Sequence, residues 1–371
     1  MKIVADENMP GLAPLESLGE LVRVPGRQVT PAQVADADIL LVRSVTRVDA
    51  ALLAGSKVRF VGSATIGTDH VDLDALAQAG IRFAHAPGCN AMAVAEYVLQ
   101  AALHWALGRG QPLAGCRVAV VGVGNVGSRL AALLAALGCQ VLPFDPPRQR
   151  AGDVLPWPWV SWASVMQADV ISLHVPLVDA GEDATRHLLD ASALEQLGAH
   201  QLLVNTCRGP VIDNAALAQR LAAPQPPAAV LDVWEQEPLV PVSLLQRVLL
   251  GSPHIAGYSL EGKLRGSAQV LAALFDWLGT GARIPEVEAP PGEWQADVLD
   301  ENELLALLRS RYDLREDFAL LQQAASGDAP ATEFDRLRRD YRVRHEMAGV
   351  TVSGRVADDL RELLSLLGVQ A

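Results

Sequence analysis

The sequence of 371 residues contains few cysteines, and their number and spacing argue against a cysteine metal site and against a disulfide scaffold. The cysteines are Cys89, Cys116, Cys139 and Cys207. No two of them form a Cys-x-x-Cys pair, and so few over such a length do not make a disulfide scaffold. We therefore expect no metal site, no structural disulfide and a reducing, cytoplasmic environment.

Basic charge and long apolar runs are also scarce. The 30 Lys and Arg residues are outnumbered by 43 Asp and Glu residues, which gives a net charge of −13. Such an acidic balance argues against nonspecific binding of nucleic acid. No window of about 18 residues is free of polar interruptions, so no membrane-spanning helix is predicted. Asp6 and Glu7 interrupt the first apolar stretch, which is unlike a signal peptide.

Half of the residues are nevertheless apolar, and short apolar runs alternate with longer segments of helical period. Strands are predicted at residues 2–5, 38–42, 58–62, 81–84, 117–121, 140–144, 169–174, 201–205 and 228–233, with one more before His254. Helices are predicted at residues 69–79, 90–107, 125–137, 190–197, 213–222 and 259–278, and a Pro- and Trp-rich loop at 146–159. This alternation predicts parallel sheets covered by helices on both faces.

The composition changes after the last of these helices. Residues 285–291 are rich in proline and are predicted to form a linker. Beyond them, short amphipathic helices are predicted at residues 301–308, 316–325 and 333–340, a strand at 350–352 and a last helix at 356–367. The tail is therefore predicted to be a third, α+β part of the chain.

A glycine motif follows the strand at residues 117–121. Gly122, Gly124 and Gly127 form G-x-G-x-x-G at the start of a helix, where the main chain at Asn125 and Val126 can meet the phosphates of a dinucleotide. Asp145 ends the next strand 18 residues later. Its carboxylate can accept hydrogen bonds from both ribose hydroxyls and would repel a 2′-phosphate, which favours NAD over NADP. A simple turn aspartate before two prolines is the alternative.

Three polar residues follow later strands and together suit one reaction. Taken alone, Arg208 is more often a surface residue, Glu237 a loop carboxylate and His254 a structural residue. Oxidation of a secondary alcohol beside a carboxylate needs a base for the hydroxyl proton, and His254 with Glu237 on its other ring nitrogen would supply it. Arg208 would bind the substrate carboxylate and polarise the reacting oxygen.

These motifs, in this order, make residues 1 to about 285 similar to the D-isomer-specific 2-hydroxyacid dehydrogenases. The resemblance implies that Arg208, Glu237 and His254 are catalytic, and that Val175, Asp232 and Gly257 line the cofactor; many relatives have Thr in place of Val175. It implies an α/β fold of two doubly wound parallel-sheet domains, plus a small α+β C-terminal dimerisation domain. The domains would be residues 1–92 with a return segment at 257–285 for the substrate, 93–256 for NAD, and 286–371 for dimerisation.

Finer motifs resemble one branch of that family, which oxidises a phosphorylated four-carbon hydroxy acid on the route to pyridoxal 5′-phosphate. They are Ala5–Pro10, Val42–Thr46, Ser63–His70 and Gly257–Lys263. The resemblance implies that Ser44, Thr65 and Tyr258 contact the substrate and that the protein is a homodimer. Arg43, Arg47 and Lys263 could supply positive charge for a phosphate, although surface charges are the simpler alternative.

Three other functions stay open at this point. A 3-phosphoglycerate dehydrogenase would also take a phosphorylated 2-hydroxy acid, but many of those end in a βαββαβ module that the tail pattern does not suggest. A formate dehydrogenase would have Gln in place of Glu237. A scaffold that senses NAD(H) and acts as a corepressor would not need the three catalytic residues, all of which are present.

Overall fold

The computed structural model describes residues 1–281, 284 and 286–371. Its contacts divide the chain into two compact units. The first unit contains Met1–Asn90 and Ser259–Glu288, and the second contains Ala91–Tyr258 and Ala289–Ala371. Among the described residues, no helix combines the length and the apolar character needed to cross a membrane.

The strands and helices are numbered here in chain order. The strands are β1 (Lys2–Asp6), β2 (Glu20–Val24), β3 (Ile39–Val42), β4 (Phe60–Ser63), β5 (Arg82–His85), β6 (Arg117–Val121), β7 (Gln140–Phe144), β8 (Val170–Leu173), β9 (Leu202–Asn205), β10 (Ala228–Leu231), β11 (Leu250–Gly251), β12 (Gly292–Trp294) and β13 (Val350–Val352). The helices are α1 (Pro31–Val34), α2 (Ala50–Leu53), α3 (Leu73–Gln78), α4 (Ala91–Gly108), α5 (Asn125–Ala136), α6 (Pro146–Arg150), α7 (Trp162–Met166), α8 (Ala191–Glu195), α9 (Asn214–Ala222), α10 (Val242–Leu245), α11 (Leu260–Leu278), α12 (Glu301–Arg311), α13 (Leu314–Ala325), α14 (Pro330–Arg339) and α15 (Arg361–Leu366).

The first unit is built on a parallel sheet with the strand order β2-β1-β3-β4-β5. Successive side chains of a strand face opposite sides, and both sides are apolar here. Ile3 belongs to the core that α11 covers, whereas Val4 belongs to the core that α1, α2 and α3 cover. The strand order reverses between β1 and β3, and in open α/β sheets such a reversal marks the ligand crevice at the carboxyl ends of the strands.

The second unit contains a parallel sheet with the order β11-β10-β9-β8-β6-β7. Val118 and Val120 face the core that includes α4 and α5, whereas Ala119 and Val121 face the opposite core. The order reverses between β6 and β8, so a ligand crevice is expected where the loops that follow those two strands meet.

The C-terminal tail packs within the second unit. Strand β12 pairs with β13 in parallel, and Leu304 and Leu363 share the core of α4 and α5. Both carboxylate oxygens of Glu301, at the start of α12, accept main-chain N–H groups, from Leu113 at 2.6 Å and Ala114 at 2.7 Å. The predicted fold class, two doubly wound α/β parts and a small C-terminal part with helices and a small sheet, is confirmed.

Several local predictions were wrong. Strand β2 was not predicted, because it is a half-exposed edge strand with weak alternation. Residues 146–150 form α6 instead of a loop, since Asp145 caps the helix and proline is tolerated in its first turn. Strand β12 begins directly after the predicted linker. Residue 285, where the linker and a predicted domain boundary fall, lies outside the described residues; the other boundaries, at 92 and 256, stay predictions.

Candidate active site

His254 and Glu237 form a hydrogen-bonded pair at the carboxyl edge of the second unit's sheet. His254 follows β11 and Glu237 lies in the loop after β10; the His254 Nδ1 to Glu237 Oε2 distance is 2.8 Å. Because a carboxylate only accepts, Nδ1 carries the proton and Nε2 is left to accept one. Burial opposes ionisation of Glu237, but the charge and hydrogen bond of His254 outweigh it, so the pKa of this carboxyl lies below its usual value.

The main chain at His254 has an unusual conformation, with φ of +59°. Few residues with a side chain adopt this left-handed region, and those that do are held there by their surroundings. Asp232 holds this segment: its main-chain oxygen accepts from His254 N at 2.7 Å, and its carboxylate accepts from Ile255 N at 2.7 Å and Ala256 N at 3.0 Å. The orientation of the His254 ring therefore depends on a strained turn.

Asp232 itself is 2 % exposed, and burial raises the pKa of its carboxyl. Besides the two N–H groups, its carboxylate accepts the hydroxyl of Ser252 at 2.5 Å. An ionised carboxylate offers about four acceptor positions, so one remains for a donor such as a carboxamide N–H. The predicted cofactor role of Asp232 is compatible with its structural role.

Arg208 follows β9 and lies beside the Glu237 loop. A Cβ at the adjacent Gly209 would come within 2.1 Å of the main chain of Trp234, so only glycine lets the two loops approach this closely. Arg208 donates from Nη1 to Cys207 O at 2.7 Å. Glu237 in turn accepts the N–H of Trp234 at 2.9 Å through Oε1. The three predicted catalytic residues thus follow three neighbouring strands of one sheet.

A second histidine–carboxylate cluster joins the same two loops. His187, Asp213 and Glu235 bring one ring nitrogen and two carboxylate oxygens within 4.8 Å of one another. His187 Nε2 lies 2.6 Å from Glu235 Oε1, and the other oxygen of Glu235 accepts from Asn214 N at 3.1 Å. These hydrogen bonds account for the arrangement. They connect the segment after Arg208 to the segment before Glu237, a link that the sequence analysis did not find.

The glycine motif forms the turn that the sequence predicts. Gly122 has φ of +86°, and a Cβ there would lie 2.6 Å from His174 O, in the loop after β8. A Cβ at Gly127 would lie 2.0 Å from Gly122 O, whereas at Gly124 nothing lies within 4 Å. Gly124 is exposed and caps α5, so open space lies in front of the helix amino terminus, as a pyrophosphate requires.

The remaining predicted cofactor residues surround this turn. Asn125 and Val126 are the first residues of α5, and Val175 follows β8, with Cγ1 at 3.0 Å from the Cβ position of Gly122. Gly257 lies three residues after His254. The residues present therefore fit a dinucleotide.

Asp145 has more partners than expected. One of its oxygens accepts from Val123 N at 2.9 Å and the other from Arg148 N at 3.2 Å. Arg148, which the sequence analysis missed, also donates to the main-chain oxygen of Val123 and to Asp153 at 2.6 Å. Asp145 therefore organises the glycine turn and keeps acceptor positions for ribose hydroxyls.

Tyr258, a predicted substrate contact in the second unit, is approached by the tail. Arg338 of α14 donates to its hydroxyl at 3.2 Å, and Tyr341 packs edge-on against its ring with centroids 5.8 Å apart. The charge of Arg338 also contributes to the lowered pKa of Glu237. Sequence spacing gave no signal for these contacts, because they join residues about 80 positions apart.

The other predicted substrate residues, Ser44 and Thr65, lie in the first unit. Ser44 is exposed in the turn after β3, and the Thr65 hydroxyl donates to Gly67 O at 2.9 Å. Burial, and then the charge of Arg43, lower the pKa of Lys263 to about 8, so two cations lie close together in this unit. Arg47 pairs with Asp49 at 3.0 Å and its side chain is 84 % exposed, which fits the alternative of a surface charge.

Two family models match the chain. Residues 90–256 match the NAD binding domain of the D-isomer specific 2-hydroxyacid dehydrogenases, and residues 284–368 match a domain of unknown function, DUF3410. The first match agrees with the resemblance inferred from the motifs.

Individual proteins are similar over longer spans. The chain is 47 % identical over 379 residues to an erythronate-4-phosphate dehydrogenase of Cronobacter sakazakii, covering 100 % of this chain and 98 % of that protein. It is 48 % identical over 383 residues to one of Pseudomonas fluorescens, covering 100 % of both. The NAD-dependent formate dehydrogenase of Staphylococcus aureus, in complex with NAD, has a TM-score of 0.63 at 22 % identity, covering 76 % of this chain and 97 % of that one. At that identity the structural likeness shows the fold alone.

Proposed function

The chain belongs to the D-isomer-specific 2-hydroxyacid dehydrogenase family, and from that premise we propose that it oxidises 4-phospho-D-erythronate to 2-oxo-3-hydroxy-4-phosphobutanoate, a step in pyridoxal 5′-phosphate biosynthesis. Membership makes it an NAD-dependent dehydrogenase that acts on a CH–OH group. The substrate comes from the names of relatives that are similar over the full length. The His254–Glu237 pair, with its 2.8 Å hydrogen bond, is the observation that carries the chemistry.

The reaction removes a proton from the C2 hydroxyl and a hydride from C2, which leaves a C2=O double bond. His254 accepts the proton at Nε2, because Nδ1 is already a donor to Glu237. The Glu237 carboxylate stabilises the imidazolium that forms. NAD held at the glycine turn would supply the acceptor for the hydride.

Arg208 binds the substrate carboxylate and polarises the reacting oxygen. Gly122, Gly124, Asn125, Val126, Gly127 and Asp145 bind the cofactor together with Val175, Asp232 and Gly257. Position 175 lacks the hydroxyl that Thr would supply, which removes one hydrogen bond worth about 0.5–1.5 kcal/mol. The main-chain contacts do not depend on that side chain.

Ser44, Thr65 and Tyr258 contact the substrate, and Arg43 and Lys263 bind its phosphate. Two neighbouring cations suit a phosphate that carries nearly two negative charges at neutral pH. Since the Thr65 hydroxyl proton is engaged by Gly67 O, Thr65 contributes a main-chain N–H rather than its hydroxyl. Arg47 is left out, because its charge is balanced by Asp49.

Purified protein assayed for NADH formation with 4-phospho-D-erythronate, 3-phosphoglycerate and D-lactate tests the substrate. We expect kcat/KM to be highest for the first by about tenfold or more. A higher value for 3-phosphoglycerate would identify the rival enzyme. The tail argues against that rival, because within the described residues its sheet has two strands, β12 and β13, whereas a βαββαβ module needs four. No NADH with any substrate would favour a nucleotide-sensing scaffold.

The protein is a cytoplasmic homodimer that associates through its C-terminal part. Apolar side chains in that part are exposed, among them Val343 at 68 % and Leu299 at 42 %. Light scattering after size-exclusion chromatography measures the mass of the assembly. A monomer at micromolar concentration would contradict this part of the proposal.

A further inference from the structure

The turn after His254 contains main-chain N–H groups and carbonyl groups that both need hydrogen-bond partners, and Asp232 binds only the N–H groups. The carboxylate of Asp232 accepts N–H groups of Ile255 and Ala256, which fixes the donors of that segment. Ile255 O accepts from Tyr258 N at 2.8 Å, whereas the carbonyl group of Ala256 needs a further donor. A left-handed residue persists only where the surrounding contacts determine the conformation fully.

Arg344 supplies that donor from the C-terminal tail. Its Nη1 donates to Ala256 O at 2.9 Å and approaches Ile255 O at 3.4 Å. Its Nη2 donates to Ala93 O at 2.8 Å, in the first turn of α4. One planar guanidinium therefore joins the turn after His254 to the longest helix of the second unit.

The guanidinium is held firmly. Arg344 is 2 % exposed and lies over the Tyr312 ring, 3.6 Å from its centroid. Arginine carries its donors in a fixed fork, whereas lysine has one flexible ammonium group. Placing a permanent charge in the interior costs free energy unless the charge is hydrogen-bonded. The hydrogen bonds of Arg344 to main-chain carbonyl groups close to His254 offset that cost.

We propose that Arg344 is a positioning residue for His254: by binding the carbonyl group of Ala256 and tying it to Ala93, it keeps the left-handed turn in place and the ring directed along its hydrogen bond to Glu237. Residues 284–368, which match a domain of unknown function, would then contribute to proton transfer in addition to any role in dimerisation. The kinetic part of this inference rests on the proposed dehydrogenase function.

The first measurement does not use activity. Protein labelled with ¹⁵N in its eight histidines is studied by NMR, and the Nδ1–H proton of His254 is assigned by its loss in His254→Ala. In Arg344→Met we expect this resonance to shift or exchange with water, while melting temperature and far-ultraviolet circular dichroism show a folded protein. An unchanged resonance in folded Arg344→Met would overturn the proposal.

Arg342→Met is the matched control. Arg342 lies two residues away, pairs with Asp317 at 2.6 Å and also lies over the Tyr312 ring, at 6.0 Å. It donates to Asp317 and Glu316 rather than to the turn, so the His254 resonance should stay in place. Where Arg344→Met does not fold, Arg344→Lys replaces it; lysine keeps the charge but cannot bind the turn and Ala93 together, so the same shift is expected.

A double-mutant cycle gives the kinetic test. Arg344→Met should lower kcat by about 10- to 100-fold with KM and the Kd for NADH nearly unchanged, because orientation of the base is lost rather than binding. In a His254→Ala background the same change should cost almost nothing further. Equal losses in both backgrounds would show a structural effect only and overturn the proposal. Absence of turnover in the unaltered chain would contradict the proposed function instead, and the NMR result would still decide the role of Arg344.

Discussion

The two units place charged groups together in opposite ways. In the second unit an imidazole meets a carboxylate, and the pKa of Glu237 falls below its usual value because His254 favours the ionised form against the cost of burial. In the first unit two cations are neighbours, and burial together with Arg43 lowers the pKa of Lys263 to about 8. The His254–Glu237 pair of the second unit therefore stabilises its own charges. The Arg43–Lys263 pair of the first unit destabilises the charge of Lys263.

This difference in charge arrangement matches the roles proposed for the two groups of residues, which are catalysis for the His254–Glu237 pair and phosphate binding for Arg43 and Lys263. A base that must accept a proton at a fixed atom benefits from a preorganised ring, and the hydrogen bonds of Glu237 and Asp232 supply one. A phosphate site benefits from cations that an incoming anion stabilises, because the relief of repulsion adds to affinity. Substitutions of His254 should therefore change mainly kcat, and those of Lys263 mainly KM.

The largest effect is expected for His254→Ala. Loss of the base should lower kcat by about 10²–10⁴-fold, with the melting temperature nearly unchanged, since the ring is partly exposed. Steady-state NADH formation and its pH profile measure this. His187→Ala is the control, because it removes another short histidine–carboxylate contact, at 2.6 Å, outside the proposed chemistry. A comparable fall in kcat in the two variants would contradict a special catalytic role for the His254–Glu237 pair.

Arg208→Lys should have the next largest effect. Lysine keeps the charge but loses the fork that binds a carboxylate through two parallel bonds, so kcat/KM should fall by about 10²–10³-fold while the Kd for NADH stays the same. Arg220→Lys is the matched control, since its guanidinium binds main-chain oxygens such as Leu197 O at 2.6 Å. A normal kcat/KM for Arg208→Lys would exclude Arg208 from substrate binding.

Much of this site could be predicted because parallel sheets place functional residues directly after apolar strands. Arg208 follows β9 and His254 follows β11, and the glycine motif follows β6, so the strand pattern alone locates them. The hydrogen bond between His254 and Glu237 was inferred from chemistry, since both had to act on one proton.

The contributions of the tail could not be predicted, because they depend on packing between distant residues. Arg344 reaches Ala256 across 88 positions and Ala93 across 251, and no local pattern indicates which carbonyl a buried guanidinium will meet. The left-handed conformation of His254 is equally hidden, because only a few per cent of residues with a side chain adopt it and no local pattern marks which ones.

A smaller change, confined to binding, is expected for Lys263→Met. It removes one charge-assisted hydrogen bond to phosphate, about 1.5–3 kcal/mol, or roughly 10- to 100-fold in KM, with kcat little changed. In the unaltered protein KM should rise as pH increases through about 8, because Lys263 loses its proton there. The variant should lack this dependence and should not melt earlier, since a lowered lysine pKa means that its charge disfavours the folded state.

Lys57→Met is the control for that prediction, as Lys57 is exposed in the same unit and carries the same chemical change. Its KM should match that of the unaltered protein at every pH. A KM that still rises near pH 8 in Lys263→Met would assign the titration to another group and would leave the first unit without a charge arranged for phosphate.

Asp145→Ala should have the smallest effect on rate and the clearest effect on cofactor choice. The ratio of kcat/KM for NAD to that for NADP should fall by about tenfold or more, because the carboxylate that repels a 2′-phosphate is gone and Arg148 remains beside it. Asp145 also caps α6, so the variant should lose about 0.5–2 kcal/mol of stability. Asp190→Ala removes an equivalent cap, on α8, and should lower stability by a similar amount with the cofactor ratio unchanged. Equal ratios in the two variants would mean that Asp145 shapes the glycine turn without contacting the ribose.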